Sequence, residues 1–268
     1  DAIIAYQPVC AFYINDLDVQ AKKFYLLTDD VKRFYPKELF KVKYPNLDED
    51  RINIEYEAQQ TYIEASYQLP FHFLVTNKSL APEKKSTVVP VGVNHDLFYP
   101  DLGAPKGERV RLLVEGNLLP WKGVADINGG LSNLKDFELW TMSNTKFTIK
   151  SDKHWINPTT EETRKILSSC DVLVNAYYED GTAELQAEAM ACGCAVITRE
   201  TSGSKMFCTN KNSLILKPEA GAKAIEKALE KVINNKTMRE ELIRNGLETV
   251  KELNWNKSVS ILEKTLKG

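Results

Sequence analysis

Short apolar runs recur along the chain, separated by longer amphipathic stretches, and this alternation is its dominant pattern. In the first part, strands are predicted at Ala2–Tyr6, Lys22–Thr28, Phe71–Thr76 and Ser86–Val91, the last ending near Pro90. Helices are predicted at Val9–Asn15 and Ile52–Gln68, with a turn closing Arg33–Pro36 and an acidic loop at Pro45–Asp50. The second part repeats the alternation, with strand candidates Arg109–Glu115, Phe137–Met142, Phe147–Ile149, Asp171–Ala176, Ala195–Thr198 and Ser213–Leu216. Helical patterns lie between and after them, at Val124–Leu134, Thr160–Ser168, Glu184–Cys192, Ala220–Asn234 and Thr237–Leu253. A last amphipathic helix, Ser258–Leu266, carries Val259, Leu262 and Leu266 on one face. Strands that alternate with helices predict an α/β chain with parallel sheets. Pro100, Gly103, Pro105 and Gly107 break the pattern between the two parts and mark a linker.

The most informative stretch is Asp171-Val-Leu-Val-Asn-Ala176 followed by the small-residue turn Gly181-Thr182-Ala183 and the helix former run Glu184–Cys192. Gly193 closes that helix, and Ala195–Thr198 begins the next buried strand. A strand–turn–helix unit of this kind sets backbone N–H groups and the positive end of a helix dipole at the carboxyl edge of a parallel sheet. That geometry suits an anionic or hydroxyl-rich ligand. Two carboxylates, Asp180 in the turn and Glu188 in the helix, stand eight positions apart.

These residues resemble the retaining glycosyltransferases of the GT-B fold, family four, also called group 1, whose signature pairs two glutamates across seven residues within an "EAMACG" helix. Glu188-Ala189-Met190-Ala191-Cys192-Gly193 matches the second half directly, whereas the first position is Asp180, with Glu179 beside it. Gly116-Asn117 followed by Pro120-Trp121-Lys122-Gly123 is similar to the turn after the first strand of the family's C-terminal domain. Pro-Trp-Lys-Gly-Val looks most like bacterial rhamnosyltransferase-like members. Pro90-Val91-Gly92-Val93-Asn94, running on to Phe98-Tyr99-Pro100, is similar to the family's connector between domains. The three matches fall in the family's order and spacing.

The resemblance implies two Rossmann-like domains, divided as residues 1–94, a linker at 95–108, a donor-binding domain at 109–253 and a terminal helix at 254–268 that crosses back to the first domain. It implies transfer of a sugar, hexosyl or deoxyhexosyl, from a nucleoside-diphosphate donor to a glycan or lipid-linked acceptor in cell-surface polysaccharide synthesis. The donor would be a dTDP- or UDP-sugar, with a GDP-sugar also admitted, and no metal or other cofactor is expected. Lys122 would meet the diphosphate and stabilise the charge that develops on it. Asp180 would sit near the hydroxyls of the transferred sugar, and Glu188 would accept hydrogen bonds from the ribose diol. Gly116, Asn117, Gly181, Thr182 and Ala183 would supply close backbone approach and donors to the donor molecule. Trp155 lies in the region where relatives hold the base, on which it could stack. A lysine opening a helix is electrostatically unfavourable, so Lys122 has little reason to stand there without an anion. Asp180 before Gly181 also has a purely local explanation as a turn former, and Glu179 competes for its role.

Composition narrows the partners. The chain has 268 residues, 43% of them hydrophobic, and a formal net charge of −2, so nothing attracts a nucleic-acid backbone. Cys10, Cys170, Cys192, Cys194 and Cys208 have no metal spacing and read as reduced thiols. No apolar run reaches the roughly 18 residues of a membrane span, and no signal peptide is visible. The expectation is a cytoplasmic protein, in solution or peripherally held at the inner face of the membrane. The stretch before Pro100 is short for a nucleotide-binding domain of ~100–150 residues, which predicts a partial N-terminal domain. The alternative reading is therefore a non-catalytic or truncated nucleotide-sugar-binding module; a sugar-nucleotide epimerase of the same fold lacks matching acid/base residues.

Overall fold

The computed structural model describes residues 1–82, 84–101, 107–116, 120–145 and 149–268. The chain divides into two compact units, Asp1–Pro90 with Ser258–Gly268, and Val91–Lys257. Of the expected linker, residues 102–106 lie outside the described residues.

The first unit contains β1 (Ala2–Ala5), α1 (Pro8–Asp16), β2 (Lys22–Leu27), α2 (Lys37–Lys43), α3 (Glu49–Tyr67), β3 (His72–Val75) and β4 (Ser86–Val88). Its sheet runs β1-β2-β3-β4 with every pair parallel. Pro8 occupies the first turn of α1, where its missing N–H is not needed. Asp48 caps α3 by accepting from the Arg51 N–H at 2.8 Å. The core gathers Ala5, Tyr25, Leu27, Phe71, Phe73 and Val75. The hydroxyl of buried Tyr25 pairs with Ser66 at 3.3 Å, and burial pushes its pKa up to about 12. The helix α2 lies beyond the turn expected after Arg33–Pro36; seven residues are too few to display a helical period in sequence.

The second unit contains β5 (Val110–Glu115), α4 (Val124–Leu131), β6 (Phe137–Ser143), β7 (Lys153–Ile156), α5 (Thr160–Ser169), β8 (Val172–Asn175), α6 (Glu184–Ala191), β9 (Ala195–Arg199), β10 (Leu214–Leu216), α7 (Ala222–Asn234) and α8 (Lys236–Val250). The final helix, α9 (Trp255–Lys267), begins here and carries its last ten or so residues into the first unit, where Ser258 Oγ donates to the Pro90 carbonyl at 2.5 Å. Six parallel strands run β10-β9-β8-β5-β6-β7. Strand order thus reverses between β5 and β8, the place where an open α/β sheet leaves a crevice at the carboxyl ends of its strands.

Alternation along the strands builds a core on each face of the sheet. Leu112, Val114, Val172 and Val174 pack with Ile127, Ile225 and Leu229. Leu113, Leu173 and Val196 pack with Ile166, Leu167, Ala187 and Met190 on the other side. Helix α5 opens with a capping box, in which the Thr159 hydroxyl and the Glu162 carboxylate each satisfy the other's backbone N–H. Of the strand expected at Phe147–Ile149, residues 147 and 148 lie outside the described residues. The edge strand is instead β7, at Lys-His-Trp-Ile 153–156, whose polar alternation suits a sheet edge.

Candidate functional site

A pocket of about 420 Å³ opens at the strand-order reversal, lined by residues from the ends of β5 and β6, the turn after β5, the loops after β6, β7 and β8, and helices α5 and α6. Glu115, Lys122, Tyr177, Asp180, Thr182, Glu184 and Glu188 make up its chemistry, with Ser143, Asn144, Asn157 and Thr163 completing the wall.

Lys122 is held from three directions. Its Nζ donates to the Tyr177 hydroxyl at 2.5 Å, lies 3.9 Å from the centre of the same ring, and stands 3.6 Å from Glu115 Oε2. The lysine reaches this place because the Pro-Trp-Lys-Gly turn packs on the end of β8. The Trp121 carbonyl accepts from the Tyr178 N–H at 2.8 Å. Gly123, at φ +64°, lies so close that a Cβ there would meet the Ala176 carbonyl oxygen at 2.1 Å. Burial raises the pKa of Glu115, and the adjacent Lys122 opposes that rise. Gly116 follows β5, its N–H donating to the Met142 carbonyl at 3.2 Å. Asn117 lies outside the described residues.

Asp180, not Glu179, lines the pocket, and its carboxylate is already engaged. Oδ1 accepts the N–H groups of Ala183 at 2.8 Å and Thr182 at 3.3 Å, and Oδ2 accepts from Gln186 Nε2 at 3.0 Å. The side chain therefore closes the turn ahead of α6 from within the chain, while the helix's own N-cap, Ala183, provides no side-chain cap. This corrects the expectation that the turn amides are open to a ligand: the Ala183 N–H is used, and Ala183 itself is fully buried in a left-handed conformation at φ 51°. Gly181 is likewise buried, which leaves Thr182 as the member of the turn that reaches the pocket. The turn is braced from behind by Gly203, whose N–H donates to the Asp180 carbonyl at 2.8 Å. A Cβ on Gly203 would stand 2.7 Å from both that carbonyl oxygen and the Thr182 nitrogen. Ser202 Oγ lies 3.4 Å from Glu179 Oε1, turning that carboxylate to a supporting contact.

Glu188 differs from its neighbours. It is half-buried, it lines the pocket, and no donor among the described residues reaches its carboxylate. Desolvation, reinforced by the charge of Glu184 one helical turn earlier, pushes its pKa up to about 7. Glu184, at the exposed rim, is raised in turn by partial desolvation and by Asp180. An unpaired half-buried carboxylate is destabilising, and a ligand carrying two adjacent hydroxyl donors would satisfy it. The sign of its effect on folding follows from the raised pKa. The folded state favours the protonated acid, so the stability it confers is greatest below pH 4.5 and is lost as pH rises towards 7. Glu188→Gln is therefore expected to stabilise the protein at pH 8 by on the order of 2 kcal/mol, with the advantage gone at pH 4.5. Melting temperatures of the two proteins across that range test this, and a pH-independent difference would contradict it.

Trp155 stands apart from the pocket. Its ring packs on Trp140 with centroids 5.1 Å apart and joins the apolar core, so it is engaged in packing and does not line the wall. His72, His95 and His154 bond Thr87, the Leu253 carbonyl and Thr141 respectively. The sequence reading passed over Glu115, Tyr177 and Glu184. Glu184 had a visible signal, its four-residue spacing from Glu188 on a helix that also faces a turn. Glu115 and Tyr177 had none, since each simply continues a strand pattern. Among the described residues, no group of three or more His, Cys, Asp or Glu side chains could hold a metal ion, and no helix is long and apolar enough to cross a membrane.

Comparison with known proteins places this geometry. Residues 144–249 match the family model described as glycosyl transferases group 1. No curated protein sequence matches the chain. Among solved structures, sucrose-phosphate synthase from Thermosynechococcus elongatus aligns with a TM-score of 0.77 at 16% identity, covering 99% of this chain and 73% of that one. WaaG, a glycosyltransferase involved in lipopolysaccharide biosynthesis, aligns at 0.74 and 13% identity, over 97% of this chain and 77% of its own. HepE of Anabaena, solved in complex with UDP-glucose, aligns at 0.74 and 10% identity, over 99% and 79%. At these identities the likeness establishes the fold, which is GT-B, and the match to the group 1 model covers residues 144–249 of it.

Proposed function

We propose that this chain is a group 1 glycosyltransferase of the GT-B fold, moving a sugar from a nucleoside-diphosphate donor to a glycan or lipid-linked acceptor. The observation that carries this reading is the half-buried carboxylate of Glu188, which no donor among the described residues reaches, in a pocket that also holds Lys122. The two groups ask for different ends of one molecule: vicinal hydroxyls for the carboxylate, a dianionic diphosphate for the ammonium. A nucleoside-diphosphate sugar has both.

In this reading the ribose diol donates to Glu188 and the diphosphate lies against Lys122. The bond between the anomeric carbon and the phosphate oxygen breaks, and its electron pair leaves with the diphosphate. The acceptor hydroxyl forms the new bond to that carbon and gives its proton to the departing phosphate oxygen. Lys122, fixed by Tyr177 and Glu115, stabilises the charge growing on the leaving oxygen. Asp180 orients: with both oxygens engaged, it fixes the turn that presents Thr182 to the transferred sugar. Among the described residues lining the pocket Lys122 is the cationic one, so the burden of neutralising the diphosphate falls on it.

The donor we propose is a UDP-sugar, whose ribose offers Glu188 both hydroxyls; the dTDP-sugar suggested by the Pro-Trp-Lys-Gly pattern of Pro120–Gly123 carries a deoxyribose with only one of them, and the transfer retains configuration without a divalent ion. We further propose a role in cell-surface polysaccharide synthesis, in keeping with the involvement of WaaG in lipopolysaccharide biosynthesis. The test is a thermal-shift panel of UDP, dTDP and GDP followed by a transfer assay with the matching sugar nucleotide in EDTA. A nucleotide that binds only the folded state raises the melting temperature, by about 2.7 kcal/mol of stability at a hundred times its Kd. Product formation that survives EDTA is the expected result; abolition by EDTA with rescue by Mg²⁺ would sink the metal-free mechanism.

A further inference from the structure

A groove of about 750 Å³ runs in the second unit between the edge strand β10 and helix α7, apart from the donor pocket. Leu214, Leu216 and Ala228 give it an apolar lining. Lys217, Lys223, Lys227 and Lys231 line it too, all four exposed, and no ion pair engages their ammonium groups among the described residues. Glu219 is the one carboxylate among the described residues of its wall.

The charges of α7 are segregated. The helix buries Ile225, Leu229 and Val232 against the sheet. Lys223, Lys227 and Lys231 recur every fourth residue and so share one face. Like charges at that spacing repel and weaken a helix. The glutamates that could relieve them point elsewhere: neither Glu226 nor Glu230 lines the groove, and Glu226 accepts from Asn133 Nδ2 at 3.1 Å. An anionic occupant of the groove would supply the missing counter-charge.

The other wall of the groove is an open sheet edge. Among the described residues β10 pairs with β9 alone. The Leu216 carbonyl accepts the Glu200 N–H on the β9 side at 2.9 Å. Strand alternation therefore turns the N–H and C=O of Ile215 outward, to the unpaired side. An extended chain laid beside β10 would meet those groups, and every second side chain would face α7. Successive side chains on one face of a strand are about 6.7 Å apart. Lysines four residues apart on a helix are about 6 Å apart along its axis. A peptide with acidic residues at alternate positions thus matches the lysine ladder nearly rung for rung. A second copy of this chain fits badly, because its own β10 edge would bring four more lysines to the same place.

We propose that the groove between β10 and α7 docks an extended, acidic segment of a partner protein, added as a strand beside β10 with alternate carboxylates on Lys223, Lys227 and Lys231. The proposal does not depend on the glycosyltransferase reading.

Fluorescence anisotropy on the full chain tests it. The probe is a fluorescein-labelled peptide, Gly-Glu-Val-Glu-Val-Glu-Gly amide. Three relatives are compared: one with lysine for glutamate, one reordered as Gly-Glu-Glu-Glu-Val-Val-Gly, and one with both valines N-methylated. The first peptide is expected to bind and its lysine relative not to. The reordered peptide keeps the charge but loses the alternation, and the methylated one loses backbone donors. Each is expected to bind roughly 3- to 10-fold more weakly. These comparisons use the parent protein and do not depend on any variant folding. Lys227→Glu, a change at an exposed and unpaired position, is expected to weaken the first peptide by roughly 3- to 10-fold. Reversing Lys223, Lys227 and Lys231 together should abolish binding. No binding at about 1 mM peptide, equal binding of the reordered and methylated peptides, or indifference to Lys227→Glu would each overturn the proposal. So would phosphatidylglycerol vesicles that retain the parent but not the triple variant while the peptide fails to bind, which would make the ladder a lipid contact.

Discussion

Replacing Lys122 with alanine is expected to lower kcat by about 10²–10³, the effect of removing one fixed electrostatic stabiliser from an acyl- or group-transfer site. Its ammonium is the cationic group among the described residues lining the donor pocket, facing Glu115, Asp180, Glu184 and Glu188. Charge on the diphosphate increases as the glycosidic bond breaks, so the interaction is stronger in the transition state than in the bound donor. Loss of such an interaction appears in kcat more than in KM. The lysine is also pre-oriented, held by the Tyr177 hydroxyl at 2.5 Å and by the ring beneath it. Lys122→Arg keeps the charge but exchanges a compact ammonium for a planar fork that does not fit this seat, so an intermediate rate is expected. Steady-state kinetics decide the matter: an unchanged kcat in Lys122→Ala would show that the leaving group is stabilised elsewhere.

The largest effect on stability is expected at a residue the chemistry does not touch. Arg199 is fully buried at the end of β9. Its Nε donates to the Ala176 carbonyl at 3.0 Å, and Nη1 donates to those of Pro218 at 2.8 Å and Ala220 at 2.7 Å. Asp126 stands 3.5 Å from Nη2, and the guanidinium lies 4.0 Å from the centre of the Tyr178 ring. One side chain thus ties the end of β8 to the segment before α7 and to α4. Arg199→Leu removes the donors and leaves buried carbonyls and a carboxylate without them, which should destabilise the unit by about 3–5 kcal/mol. Arg199→Lys retains the charge but not the fork, and should lose part of that. Urea unfolding followed by tryptophan fluorescence measures both. Because Ala176 immediately precedes Tyr177, the loosened variant should also position Lys122 poorly.

The parts of this molecule that follow from periodicity were legible before the structure. The Asp171–Thr198 stretch folds as strand, turn and helix because apolar run, small-residue turn and helix formers follow one another without conflict. Glu188 could be singled out because the flanking Ala-Met-Ala-Cys-Gly matches a family signature, and Lys122 because a cation opening a helix is locally unfavourable. What stayed hidden depends on contacts between segments far apart in the chain. Arg199 looks like a strand-end charge, and its burial follows only from carbonyls brought to it across more than twenty residues. Asp180 matched a signature position, yet the hydrogen bonds it makes to Ala183 and Gln186 reveal a turn brace, a role its Asp-Gly context also predicted. Trp155 could be assigned a base only while the position of Trp140 was unknown. Short edge elements such as β7 carry too few residues to express a period.

The central claim is that the second unit's pocket holds a nucleoside diphosphate with its ribose on Glu188. Isothermal calorimetry of the parent and Glu188→Ala against the nucleotide selected by thermal shift tests it most directly. The variant should still fold, since the Glu188 side chain makes no hydrogen bond within the described residues, and should bind the nucleotide about 1–3 kcal/mol more weakly, as charge-assisted hydrogen bonds to the diol are lost. The deoxyribose counterpart, lacking one hydroxyl, should bind the parent more weakly and the variant nearly as well as the ribonucleotide does. Equal affinity of parent and variant for the nucleotide would place the ribose elsewhere and contradict the account.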